Sequence, residues 1–334
     1  MLSKIKRFDG SRKWAAVAAA ATASMLSIGA HSAALGAVSL SDQASNAAYI
    51  GGSWATNANG GTGFAPWQLT PDISNSGVNQ GATWGFDTES AANIFATTAS
   101  PNINTVGVAW TLWSQNATGL DPVPQAAYRK FDYNLVPGAS FSVNMATDAI
   151  GTQGAEGFQL QNFNPSTGYA TPIIEVAAFA SGTNYSVSWG GYSSSSQGFT
   201  NSQTSTISAI HDGTATGNNG NGLTVTVSIT GAATASLTLT PLDTSLASDT
   251  LSSLSLNSLP INQIEFFNDN LGSGYQAAYF NSLSGTDPVV APEPAALWLL
   301  STLSGGTLLL IRRRRPCLKP MAFHNAGLRG GDIR

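Results

Sequence analysis

Two pairs of carboxylates stand at spacings that could do acid–base work. Asp87 and Glu89 follow Trp84-Gly-Phe86, and Glu265 and Asp269 bracket the run Glu-Phe-Phe-Asn-Asp. On an extended strand, residues two or four apart project from the same face. One carboxyl of such a pair could then give a proton while the other takes one. Aromatic residues form a second group. Trp54, Trp67 and Trp113 offer flat apolar rings that could stack on sugars. In Ala109-Trp-Thr-Leu-Trp113 the two indoles fall on opposite faces of a strand, so at least one packs inward. A third group could hold calcium through oxygen ligands. Asp212 lies in the glycine-rich stretch 211–222, with Asp249 and Asp269 as similar candidates. The 211–222 stretch lacks the acid spacing of an EF-hand.

Composition narrows these options. Residues 38–287 carry fifteen acids and only two bases, Arg129 and Lys130, for a net charge near −13. The whole-chain value of −4 conceals this, because the other bases sit at the two ends. A body this acidic excludes nucleic acid as a partner, since that needs a basic surface. With acids so abundant, carboxylates two or four apart are also expected by chance. The body has one histidine, His211, and no cysteine, for Cys317 lies far beyond it. A His/Cys zinc site is thereby excluded, and the body must fold without a disulfide. No cofactor is required on this reading, with calcium the one candidate.

The elements that must position these residues are strands. Short alternating stretches rich in Val, Ile, Thr, Phe, Tyr and Trp occur at 105–113, 139–145, 156–163, 172–179 and 184–189. Others follow at 223–230, 235–240, 261–267 and 276–283. Gly, Asn, Ser and Pro separate them. No long helical period lies between, so the pattern predicts an all-β antiparallel two-sheet sandwich, a jelly roll of about a dozen strands.

The two ends read differently. Lys4, Lys6, Arg7, Arg12 and Lys13 precede an alanine-rich apolar stretch and small residues, so residues 1–37 predict a signal peptide. The sandwich is expected over 38–284 and a linker over 285–294, ending in Pro292, Glu293 and Pro294. Residues 295–311 are uncharged and apolar; as a helix they would span about 25 Å, near the lower limit for crossing a bilayer core. Arg312, Arg313, Arg314 and Arg315 follow and would hold that end in the cytoplasm, within a basic tail over 312–334.

Pro-Glu-Pro, apolar helix and arginine cluster, in that order, resemble the PEP-CTERM sorting signal of Gram-negative bacteria. The resemblance implies an exosortase-type processing enzyme as partner, membrane anchoring through 295–311 before processing, and then the cell surface or extracellular matrix. The further tail at 316–334 departs from the family pattern. More loosely, the body resembles the concanavalin-like sandwiches. The residues that carry this are Asn59-Gly-Gly-Thr-Gly-Phe-Ala-Pro-Trp67, Ala126-Ala-Tyr-Arg-Lys-Phe131, Gly157-Phe-Gln-Leu-Gln-Asn162 and Tyr279-Phe-Asn-Ser-Leu283. That architecture serves lectins, glycoside hydrolases and structural modules alike. Neither carboxylate pair matches the E-x-D-x-x-E strand motif of sandwich glycosidases. The sequence reading is therefore a structural or adhesive, non-enzymatic body, with weak binding of extracellular polysaccharide or calcium. The rival is a carbohydrate-active enzyme, a glycoside hydrolase or lyase.

Overall fold

Alternation of apolar and polar residues turns this body into sheets. In strand β11 (Leu223–Gly231), Leu223, Val225, Val227 and Ile229 are buried while the intervening Thr and Ser residues are partly or fully exposed on the other side. The computed structural model describes residues 38–49, 54–71, 82–89, 103–104, 107–116, 125–147, 154–180, 182–193, 198–209, 222–257, 260–269 and 274–287. All of them belong to one unit, Leu35–Val289. The second unit, Met1–Ala34 with Val290–Arg334, lies outside the described residues. So do the expected signal peptide, Pro292-Glu293-Pro294, the apolar run 295–311, Arg312 to Arg315, the basic tail, and Asp212. Among the described residues no helix is long and apolar enough to cross a membrane.

Among the described residues, fifteen strands form two antiparallel sheets. The first runs β13 (Asp249–Ser255), β12 (Thr234–Pro241), β11, β6 (Ser140–Thr147), β15 (Gly274–Asp287), β4 (Ala109–Asn116) and β3 (Ala82–Glu89), with β1 (Val38–Asp42) also paired to β15. The second runs β10 (Gly198–Ser208), β9 (Asn184–Ser193), β8 (Tyr169–Phe179), β7 (Ala155–Asn164), β14 (Ile261–Asn268), β5 (Gln125–Leu135) and β2 (Gln68–Pro71). The expected all-β two-sheet sandwich is therefore present. Its core lies between the sheets; Phe266 of β14 stacks on Phe280 of β15 with ring centroids 3.9 Å apart. β15 reaches Asp287 because Val38 to Ser41 of β1 pair with its last residues. Residues 285–287, expected in the linker, are strand.

Several strands escaped the alternation rule. β10 is rich in Ser, Thr, Asn and Gln and sits at a sheet edge, where little burial is demanded. β5 carries Arg129 and Lys130 in its middle, which reads as a surface segment. In fact Arg129 turns inward. Its guanidinium pairs with the buried Asp42, its Nε donates to the Ala65 carbonyl at 2.7 Å, and it lies 4.5 Å from the Phe64 ring centroid. Asp42 also accepts from the Tyr49 hydroxyl at 2.5 Å. Burial pushes Tyr49 up to about 12, so that hydroxyl keeps its proton and remains a donor. These contacts tie the segment 42–67 to β5.

Candidate functional site

One row of directly paired residues crosses the second sheet. It runs Gln68 of β2, Tyr128 of β5, Glu265 of β14, Gln159 of β7, Glu175 of β8 and Ser188 of β9. Their neighbours along the strands, such as Ile264, Phe266, Phe158, Leu160, Ile174 and Val176, belong to the core. Side chains alternate along a strand, so the row faces away from the core on the outer side of the sheet. β-branched and aromatic residues on the inner face fix the register, and the register in turn lines up the polar row.

Hydrogen bonds lock the middle of this row. Gln159 Nε2 donates to Glu175 Oε2 at 2.7 Å. Gln161 Nε2 donates to Gln159 Oε1 at 2.9 Å and to Glu265 Oε2. Gln263 Nε2 in turn donates to Gln161 Oε1 at 2.6 Å. Gln161 and Gln263 are buried, whereas Glu175, Glu265 and Gln159 are half-buried and keep contact with solvent. The amides thus form a floor that holds two carboxylates in fixed orientations.

The carboxylates are not ordinary. Burial pushes Glu265 up to about 7; the hydrogen bond from Gln161 pulls the other way, and the charges of Asp269 and Glu175 add to the rise. Burial also raises Glu175, opposed by the hydrogen bond from Gln159. Two coupled carboxylates, one of them holding its proton near neutrality, can divide the roles of acid and base.

The residues singled out from the sequence fare unevenly. Glu265 is in the row. Asp269, its expected partner, follows the end of β14, and its backbone N–H donates to the Ala155 carbonyl at 2.8 Å. Asp87 lies on the other sheet, where its carboxylate accepts from the Trp113 indole N–H at 2.7 Å. The side chain of Glu89 lies outside the described residues. Trp54 and Trp67 are corrected: they are 2% and 0% exposed, with ring centroids 4.9 Å apart in the core, so no ring face is free for a sugar. Trp110 is likewise buried and Trp113 half-buried on the opposite face, as their odd separation demands. Asp249 spends its carboxylate on Ser205 Oγ and Thr206 N–H, at 2.7 and 2.8 Å; these bonds, the Thr206 N–H first, hold it below the usual carboxylate range. Among the described residues no three acids, histidines or cysteines are grouped to hold a metal. Glu175 was missed. Its signal was present, a lone Glu inside the apolar strand Pro172-Ile-Ile-Glu-Val-Ala-Ala-Phe179, and so was the Gln159-Leu-Gln161 alternation.

No protein-family model and no curated protein sequence matches the chain. Solved structures do. An endo-β-1,4-glucuronan lyase from the fungus Trichoderma reesei aligns over 66% of this chain and 94% of its own, at 11% identity and a TM-score of 0.37. The β-glucanase of Bacillus licheniformis aligns over 66% and 98%, at 15% identity and 0.34. The lumenal domain of VIP36, in a Ca2+ and oligomannose-bound form, aligns over 69% and 86%, at 6% identity and 0.36. At such identities the likeness concerns the sandwich alone. One expectation is nevertheless corrected. The body was read as non-enzymatic, and the matched structures include a lyase and a glucanase.

Proposed function

We propose that the body is a carbohydrate-active sandwich that engages polysaccharide on the outer face of its second sheet and cleaves glycosidic bonds with Glu265 and Glu175. The observation that carries this reading is the raised Glu265, held near neutrality in one row with a second carboxylate. Protonated Glu265 donates to the glycosidic oxygen as the bond to the anomeric carbon breaks. Glu175, oriented by Gln159, takes a proton from the water that attacks that carbon. Two strand steps separate the two backbones by about 9.6 Å. Release of reducing ends from a panel of plant and microbial glycans tests the assignment. Glu265→Gln and Glu175→Gln should each slow release by about 10²–10⁴-fold while still melting cooperatively. No release from any polymer, or release undiminished in both variants, defeats it.

The site would work outside the cell. The basic and apolar N-terminus over 1–37, Pro292-Glu293-Pro294, the run 295–311 and Arg312 to Arg315 support an exported protein, anchored until an exosortase-type enzyme processes it. Surface or matrix polysaccharide is then the natural substrate. Changing Pro292, Glu293 and Pro294 together to alanine in a host that carries an exosortase should alter the mature C-terminus by mass. An unchanged mass and an unchanged membrane fraction would reduce the segment to a spacer.

A further inference from the structure

We infer that the outer face of the second sheet takes an uncharged glycan of several residues and rejects uronate polymers, an inference that rests on the sheet-face reading above. Charge carries it. Glu175 and Glu265 stand in the middle of the row, and Asp269 lies close enough to act electrostatically on both. A uronate polymer adds a carboxylate with every sugar, and a site that accepts it needs a cation to meet each one. This body has two basic side chains to offer between residues 38 and 287. Arg129 points to the inner side of its sheet and is consumed by Asp42. Lys130 faces the outer side, but its Nζ sits 3.5 Å from the Phe163 ring centroid. Every loop that could border the row is drawn from the same acidic stretch, so none can supply a further Lys or Arg.

The rest of the row suits hydroxyls. Amides offer both donors and an acceptor, and Tyr128 carries a hydroxyl that can do either, while Ser188 at the end of the row is buried. Six strands carry the row from Gln68 to Ser188, which makes it about 24 Å long at about 4.8 Å per strand step. A single sugar would cover a fraction of that length; a chain laid across the strands would use it.

The closing experiment compares chemically matched ligands. Neutral oligosaccharides, β-1,4- and β-1,3-linked glucans and β-1,4-mannan, are set beside the C6-oxidised form of each, which turns the same backbone into a uronate. Binding to the full-length chain in detergent is measured by calorimetry at low salt and about pH 8, where Glu265 is ionised. At least one neutral ligand should bind, with its oxidised form weaker by about tenfold or more. Added salt should narrow that gap in the unaltered protein. The double variant Glu175→Gln, Glu265→Gln, checked for an intact melt, should narrow it as well. An oxidised form that binds as well as its neutral parent, with binding lost in Gln159→Ala, would overturn the inference and leave the sheet-face reading standing. Binding of neither series would remove that reading and the inference with it.

Discussion

Asp42 and Arg129 form an ion pair with no side-chain surface exposed to solvent, although 87 residues separate them and they belong to different sheets. Among the described residues Arg129 is the only base in the core, and its side chain is held by Asp42, Asn59 and the Ala65 carbonyl, all from the segment 42–65. The pair is thus a clasp. It fastens the first strand of one sheet, and the irregular chain after it, against the second sheet. Because that chain contributes Trp54, Phe64 and Trp67 to the core, the clasp also fixes a large share of the aromatic packing.

Removing one partner should therefore be severe. Asp42→Asn or Arg129→Met leaves the other charge buried and alone, with an expected loss of about 3–5 kcal/mol in urea unfolding. Replacing both with apolar residues should recover part of that loss. Single variants with midpoints within error of the parent would show that the pair is not a clasp.

Ionisation of Glu265 should cost stability as pH rises through the acid range. The Glu265 carboxyl has an ordinary value of 4.5 and is pushed up to about 7 in the fold. Between those values the folded protein keeps a proton that the unfolded chain has released, so each step up in pH favours unfolding. The contribution is about 1–3 kcal/mol, complete above about pH 7. Glu265→Gln cannot ionise and should raise stability at pH 8 relative to pH 5, compared with the parent over the same interval. Parallel pH profiles for the two proteins would rule the assignment out. Under the proposed chemistry, turnover of the parent should decline above about pH 7 as the acid loses its proton.

Gly157 in β7 should resist any side chain. A Cβ there would stand 2.1 Å from the Val176 carbonyl oxygen and 2.8 Å from the Ala177 Cα of the neighbouring strand. Backbone must move to admit it, so Gly157→Ala is expected to destabilise by about 1–3 kcal/mol and to disturb the adjacent Gln159. Gly182→Ala, whose nearest contacts would be 3.5 Å and 3.6 Å away, serves as the near-neutral control in the same thermal melts.

Deletion of residues 295–315 should release the protein from membranes. The segment is uncharged up to four consecutive arginines, a combination that retains a span and orients it. Cell fractionation with an antibody against the body reads the result. A shortened protein still pelleting with membranes would contradict it.

The sequence by itself determined the fold class, because period-two alternation has one good solution once helical periods are missing: strands that bury one face. It also placed Trp110 and Trp113 on opposite faces, since parity along a strand needs no tertiary knowledge. The acidity of the body required only counting. Other features depended on which strands became neighbours. Glu175 and Glu265 are 90 residues apart in the chain and meet only because β7 lies between β8 and β14, with Gln159 in register with both. Trp54 and Trp67 were candidates for sugar stacking by residue type alone; the segment that carries them is fastened inward by the Asp42–Arg129 clasp and both are buried. Nothing local in the sequence marked Arg129 as buried; its partner Asp42 comes from the other sheet. Local pattern fixes which way a side chain points from its strand. Which strand lies alongside is decided by the packing of the whole core, and that decision assembled the row of carboxylates.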